Sequence, residues 1–341
     1  MKNFTLLLVF LLVSIYTFSQ VQVIVQNGTK TETYESLDDA VTAAVAGDTL
    51  YLPGKSFYQS NRTIDKQLHW IGTGHYPDAT GATAITYLNG DYAFTGTTDG
   101  SSFEGIYFKN NVTLGSNGDE AINMLFKRCR IGSTLSLRSV GTEDFPNLNT
   151  TITECVFNAI QANNGSNCLV EKSVGVIVYR FHQSLFKHCV FLGGSYTSND
   201  FDNCISSVVE NSILIDGYHF LYYAQTMHFR NCLFAFNITF PTGTHTGENN
   251  IVNVGYENIF EAIPDDYRYF SYNNDYHLQS GSTGIGAAAD GTNIGIYGSS
   301  LPYKTNAVPF YPHITNTAIE DNADPVTKTL NVQFTVEGQD R

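Results

Sequence analysis

The chain has 341 residues, 42% of them hydrophobic and 13% aromatic, and only 15% charged, a mix that excludes disorder and calls for a large buried core. Its 18 basic and 32 acidic residues leave a formal charge of −14. With no basic stripe to offset it, that balance excludes nucleic acid as a partner and repels anionic membrane.

Lys2 supplies a positive start, and the apolar run from Phe4 to Ile15 is broken only by Thr5 and Ser14. Thr17 and Ser19 then place small residues before Gln20. This order reads as a secretory signal peptide over residues 1–19. The run is shorter than the ~20 residues a membrane-spanning helix needs. No second long apolar run occurs later in the chain, so the mature chain is expected to lack a transmembrane segment and to work outside the cytoplasm, in the periplasm, on the cell surface or beyond it.

Val21 to Gln26 reads as a strand. Ser36 then opens a helix expected to run to Ala46, with Asp39 as the capping-box acid. Leu37, Ala40, Val41, Ala44 and Val45 form its apolar face. Gly47 stops it, and β structure resumes at Thr49. Such a helix covers backbone edges at the open end of a stack of strands.

An internal repeat dominates the middle of the chain. Phe126-Lys-Arg-Cys129, Ile152-Thr-Glu-Cys155, Phe186-Lys-His-Cys189, Phe201-Asp-Asn-Cys204 and Phe229-Arg-Asn-Cys232 share one pattern, with looser copies at Phe103 and Val209. From Phe103 the spacings run 23, 26 and 34 residues, then 23 to Val209 and 20 to Phe229. Phe201 is off this register, either by chance or because it belongs to a second face. Periods of this size with β-rich residues predict stacked coils. Inward positions should form files of Phe, Ile, Val and Cys, and Asn should sit at the bends, where it tolerates left-handed backbone. Loops of different length should emerge at residues 141–149 and 241–247. The cysteines read as buried thiols, with disulfides between adjacent coils as the alternative. The lack of a C-x-x-C pair and the irregular Cys-to-His spacing argue against zinc. From Ser299 the chain loosens around Pro302, Pro309 and Pro312, and Lys328 to Val336 alternates as a terminal strand.

The stretch from Ala40 to Gly54, AVTAAVAGDTLYLPG, resembles the opening of the pectate-lyase-like superfamily of β-helices. The Phe-x-Asn-Cys-Leu-Phe repeats resemble its coils. Asp275 to Gly286, Asp290 to Gly298 and Val308 to Ile314 resemble the closing coils and tail of β-helix proteins exported by Bacteroidetes. The resemblance implies an all-β, single-stranded, right-handed parallel β-helix over residues 20–298, with coils to Tyr297. A cap or tail over residues 299–341 would pack on the last coil.

Lyases of that superfamily use a basic residue to take the proton beside a uronate, often with calcium. The resemblance therefore directs attention to Lys172, Arg180, His182, Lys187 and His188, and to His219, His228 and Arg230. Arg180 and His182 share one face if residues 176–182 are a strand, and these two are the catalytic candidates. Asp200 and Asp202 flank Phe201 and could make half a calcium site. For each of these the competing reading is a solvated surface residue. Gly284-Ile-Gly-Ala-Ala-Ala289 matches a dinucleotide string, but Asp290-Gly291 forbids the helix that must follow, so no organic cofactor is expected. No diagnostic lyase motif and no paired-aspartate hydrolase motif is present. The expected function is a non-catalytic surface protein, binding glycan through exposed aromatics. The alternatives are a polysaccharide lyase or hydrolase, marked by a cleft of clustered charges, and an assembly scaffold, marked by an uncovered coil end.

Overall fold

The computed structural model describes residues 22–58, 61–116, 119–139, 144–194, 200–216, 218, 220–320, 322–323 and 326–338. The expected signal peptide, His219 and the first three residues of the expected loop at 141–149 lie outside them.

The chain is a parallel β-helix. Short strands from Thr49–Tyr51 to Thr246–Glu248 pair in parallel, coil on coil, along a front sheet. A back sheet runs the same way from Ser56–Tyr58 to Leu233–Phe234. Strands such as Arg62–Ile64, Tyr92–Thr95 and Val112–Ser116 form a third side. Phe201 pairs with Val178 on that third side, so it does belong to a second face.

Equivalent residues stack because each coil repeats at the strand spacing of ~4.8 Å. Trp70, Phe103, Phe126, Ile152, Val170, Phe186, Val209 and Phe229 form one inward file, each buried at 1% exposure or less. Val170 divides the 34-residue gap into two coils. The sequence hides this coil because Ser173 stands where the repeat has Cys.

The next file, Cys129, Cys155, Ser173, Cys189, Ser212 and Cys232, is buried and holds free thiols. Its side chains cap the neighbouring coil. The Cys155 amide donates to Ser173 Oγ at 3.1 Å, Cys189 to Ser212 Oγ at 3.0 Å, and Cys232 to Asn250 Oδ1 at 2.9 Å. Each Ser also donates back two residues, to Glu171 O and Glu210 O at 2.8 Å. Cys189→Ser should therefore cost under about 1 kcal/mol, since the hydroxyl can reach Lys187 O in the same way. Thermal melting tests this, and a loss of several kcal/mol would contradict it. Burial pushes the Cys189 thiol up to about 12, so native Cys189 should resist thiol reagents.

Both ends are covered. The helix Leu37–Ala43 is shorter than expected, and Val45 is 54% exposed rather than part of its apolar face. Ser36 caps it as expected, accepting from the Asp39 amide at 3.0 Å. Lys66 Nζ bonds the carbonyls of Val41, Thr42 and Ala44 at the other end, where a cation also suits the helix dipole. At the far end Gly247 occupies the inward file with no side chain. Phe240 fills that space, since a Cβ on Gly247 would lie 2.4 Å from its ring, and the ring stacks on Phe229.

The coils do not continue to Tyr297. After the bridge from Leu233 to Ile251 no further parallel pairing occurs among the described residues. Residues 253–312 instead form a strap that returns along the outside of the back sheet. Val174, Val176, Val190, Leu192, Ile213, Ile215 and Leu233 face outward there and pack against Ile259, Phe260, Tyr276, Ile294, Ile296 and Tyr303 in a second core. The expected closing coils, Asp275 to Gly298, are the middle of this strap.

The strap is anchored bend by bend. After each front strand from Ser102–Glu104 onward one residue takes left-handed backbone, including Arg128, Glu154, Lys172, His188, Asn211, Asn231 and Asn249 at φ between 48° and 53°. The strap's polar groups meet this row: Asn211 Oδ1 accepts from the Ala289 amide at 3.0 Å, and His188 Nδ1 lies 3.2 Å from Gly295 O. Further along, Glu154 accepts from the Lys304 amide at 3.1 Å and Arg128 donates to Val308 O at 3.2 Å. Thus the tail after Ser299 packs on the early coils, not on the last one. Tyr311 meets Tyr51 edge to face at 6.0 Å, and His313 bonds Ala79 O at 2.6 Å. The terminal strand lies at Val332–Glu337, paired with His313–Ile319 in an exposed hairpin.

Candidate functional site

The outer face of the front sheet carries three of the basic candidates, Lys187, His228 and Arg230, and gives each a partner. One outward file reads Glu104, Lys127, Thr153, Glu171, Lys187, Glu210, Arg230, Glu248. Opposite charges meet on neighbouring coils. Lys187 lies 3.3 Å from Glu210, and Arg230 Nε donates to Glu210 at 2.7 Å. Lys172 pairs with Glu171 at 3.0 Å, and His228 bonds Thr246 at 2.6 Å. His188 is buried against the strap, its pKa lowered by burial. A shallow groove of about 530 Å³ runs beside this file past Leu169, Leu185 and Val208.

Arg180 and His182 are not brought together on one strand face. The strand ends at Tyr179, and Arg180 takes φ 51°, which breaks the alternation that would align them. Arg180 is exposed, while His182 is 6% exposed and stacks on Phe145 at 4.2 Å. Burial lowers the His182 pKa, which suits a packed neutral ring. Among the described residues no group of three His, Cys, Asp or Glu side chains gathers to hold a metal. Asp202 accepts from the Asn203 side chain, whereas Asp200 is buried and faces Asp216.

A different constellation stands on the early back sheet, at the margin of the strap, where Tyr87, Tyr107 and Arg130 are half-exposed. Tyr87, Tyr107 and Arg130 stack in register on successive coils. The two tyrosine rings meet edge to face at 4.9 Å. Arg130 lies 4.7 Å from the ring centres of both Tyr107 and Tyr272, and 5.3 Å from that of Phe270. Lys109 sits 6.0 Å over Tyr87. Tyr58, one coil earlier, is 74% exposed. Gly132 is required here: a Cβ would lie 3.0 Å from the Tyr107 ring and 2.8 Å from Lys109 O. Cation–π contacts hold these rings together as a platform.

Two cavities adjoin the platform. One, of about 150 Å³, lies by Arg130, Gly132, Asn158, Tyr269 and Phe270. The other, of about 220 Å³, is lined by Tyr272, Asn273, Asp275, His277, Tyr297 and Thr305 among others. His277 stacks on Tyr297 at 3.6 Å, with Nδ1 2.6 Å from Asp275. Beneath, His75 is fully buried and meets Tyr272 at 3.3 Å. Burial, aided by the Arg130 charge, lowers its pKa to about 3.

No family model matches the sequence, and no curated protein matches it. Among solved structures it is similar to the crystal structure of pectate lyase Pel9A. That likeness has a TM-score of 0.39 at 10% identity, over 76% of this chain and 90% of that one. The β-helix itself rests on the parallel strand pairing of this chain. Among the described residues no helix is long and apolar enough to cross a membrane.

Sequence reasoning missed the platform because Tyr87 and Tyr107 lie before the Cys-bearing repeats. The available signal was the pair Leu88 and Phe108, inward residues each preceded by Tyr.

Proposed function

We propose that this chain is an exported β-helix protein that binds glycan on the Tyr87–Tyr107–Arg130 platform without turning it over. The observation that carries this reading is the file of half-exposed aromatic rings and cations on the early back sheet, at the margin of the strap. Rigid tyrosines offer flat apolar faces to sugar rings at low entropic cost, and their hydroxyls, with Arg130 and Lys109, offer hydrogen bonds. The local cations also admit acidic sugars to an otherwise acidic chain. The two adjoining cavities give a bound chain places to project substituents.

The test is a panel of neutral and acidic polysaccharides, read for binding and for unsaturated product in the ultraviolet. Tyr87→Ala with Tyr107→Ala should weaken binding by at least about tenfold, near 1.4 kcal/mol, while leaving the far-ultraviolet spectrum unchanged. Binding equal to the parent would remove the platform from the site. Turnover that survives in the double variant but is lost with Lys187→Ala or Arg230→Ala would favour a lyase working in the front groove.

A further inference from the structure

At the corner after Leu192, two aspartates border bare backbone. Gly193 and Gly194 take φ of 84° and 64°. A Cβ on Gly193 would lie 2.3 Å from Asp216 Cβ and 3.2 Å from Asp200 Oδ1, so both side chains border the space this glycine leaves open and the two acids lie near each other. Asp200 is 0% exposed, and neither of its carboxylate oxygens has a hydrogen-bond partner. Asp216 is half-buried, and its Oδ1 accepts from the Tyr218 amide at 3.0 Å. Arg268, whose carbonyl bonds the Gly194 amide, directs its guanidinium to Asp266 at 2.7 Å.

Among the described residues this is the buried carboxylate left with both oxygens unmatched. A buried charge is retained only when it is paired, protonated or bound to a metal. A second acid nearby disfavours the bare anion further, because like charges repel. The geometry suits the third. Two carboxylates supply hard oxygen donors and two negative charges, and the half-exposed side of Asp216 admits water to complete a coordination shell.

We propose that Asp200 and Asp216 hold one divalent cation, with calcium the best match in charge and in tolerance of irregular oxygen geometry. The ion joins the corner at Gly193 to the coil below it, which carries Asp216. Asp202, engaged with Asn203, is not a ligand. This inference is independent of the glycan platform, which lies on the early coils.

The experiment uses the full chain, stripped with chelator and then titrated with calcium, with magnesium as control. Calcium at about 1 mM should raise the melting temperature by several degrees, and magnesium should do so less, because it demands strict octahedral geometry. Terbium should bind and luminesce through Tyr218. Both responses should be lost in Asp200→Asn, and Asp216→Asn provides the same reading at a half-exposed position where folding is not at stake. A parent that ignores calcium and terbium overturns the proposal. So does a response that persists in both variants. An Asp200→Asn protein that melts above a calcium-insensitive parent would identify Asp200 as a buried, protonated acid.

Discussion

Arg128→Ala is expected to destabilise the protein by about 3–5 kcal/mol, the cost of breaking a buried ion pair from one side. Arg128 is 1% exposed, and its guanidinium meets Glu154 at 2.9 Å, Glu104 at 3.3 Å and Val308 O at 3.2 Å. Burial pushes the Glu154 carboxyl up, but the Arg128 hydrogen bond and charge, with the Lys304 amide, outweigh it and hold the pKa below normal. Alanine would leave that carboxylate buried and unpaired while also freeing the strap at Val308. Because Arg128 holds φ 51°, Arg128→Gly should be less damaging than Arg128→Ala by about 1 kcal/mol. A double change, Arg128→Met with Glu154→Leu, should recover most of the loss. Denaturant unfolding followed through Trp70, the single tryptophan and a core residue, measures all three. An Arg128→Ala midpoint indistinguishable from the parent would show that the strap does not depend on this anchor.

Acid should loosen the same strap through His75. Its pKa falls from the ordinary 6.5 to about 3 in the folded chain, chiefly by burial and then by the Arg130 charge. Between those values the unfolded chain binds a proton that the folded one refuses. Stability is therefore full above pH 6.5 and falls as pH drops toward 3, by up to about 1.4 kcal/mol per pH unit and several kcal/mol in all. Burial lowers His182, His188 and His245 in the same direction. In the cation-free chain Asp200 acts oppositely: its pKa is raised by burial and by Asp216, so its contribution is present below 3.8 and lost as pH rises through its folded value. His75→Asn removes one titrating group and keeps the Tyr272 hydroxyl bond to the residue-75 carbonyl, 2.7 Å long in the parent. Urea midpoints from pH 7 to pH 4 should fall less steeply in this variant. Equal slopes in variant and parent would exclude His75 as the acid-sensitive group.

Much of the stack was legible in the sequence because a solenoid is written locally. Each coil contacts its neighbours alone, so the same short run of residues must recur at each inward file and bend. Cys129, Cys155, Cys189 and Cys232 fell into one buried file for that reason, and Asn211, Asn231 and Asn249 mark bends where left-handed backbone is cheap. Where another residue met the same geometric need, the repeat was lost to view. Ser173 hid the Val170 coil, and Phe240 supplied from a loop the side chain that Gly247 lacks.

The sequence also held a signal that periodicity did not interpret. Val-Phe-Leu192, Ile-Leu-Ile215 and Leu-Phe-Ala235 are continuous apolar runs, as a parallel sheet buried on both faces requires. Arg128, Glu154 and His188 stand at bends where Asn would cost less, and each of them holds the strap. By itself, then, the sequence determined the coil, its inward files and its capping helix, all set by residues within a coil or one coil apart. Only the tertiary structure decided which face is covered, which charges cancel and where the tyrosines and Arg130 gather. Those outcomes depend on the return path of residues 253–312, which brings Lys304 to Glu154 across 150 residues of chain, and no local pattern encodes such a path.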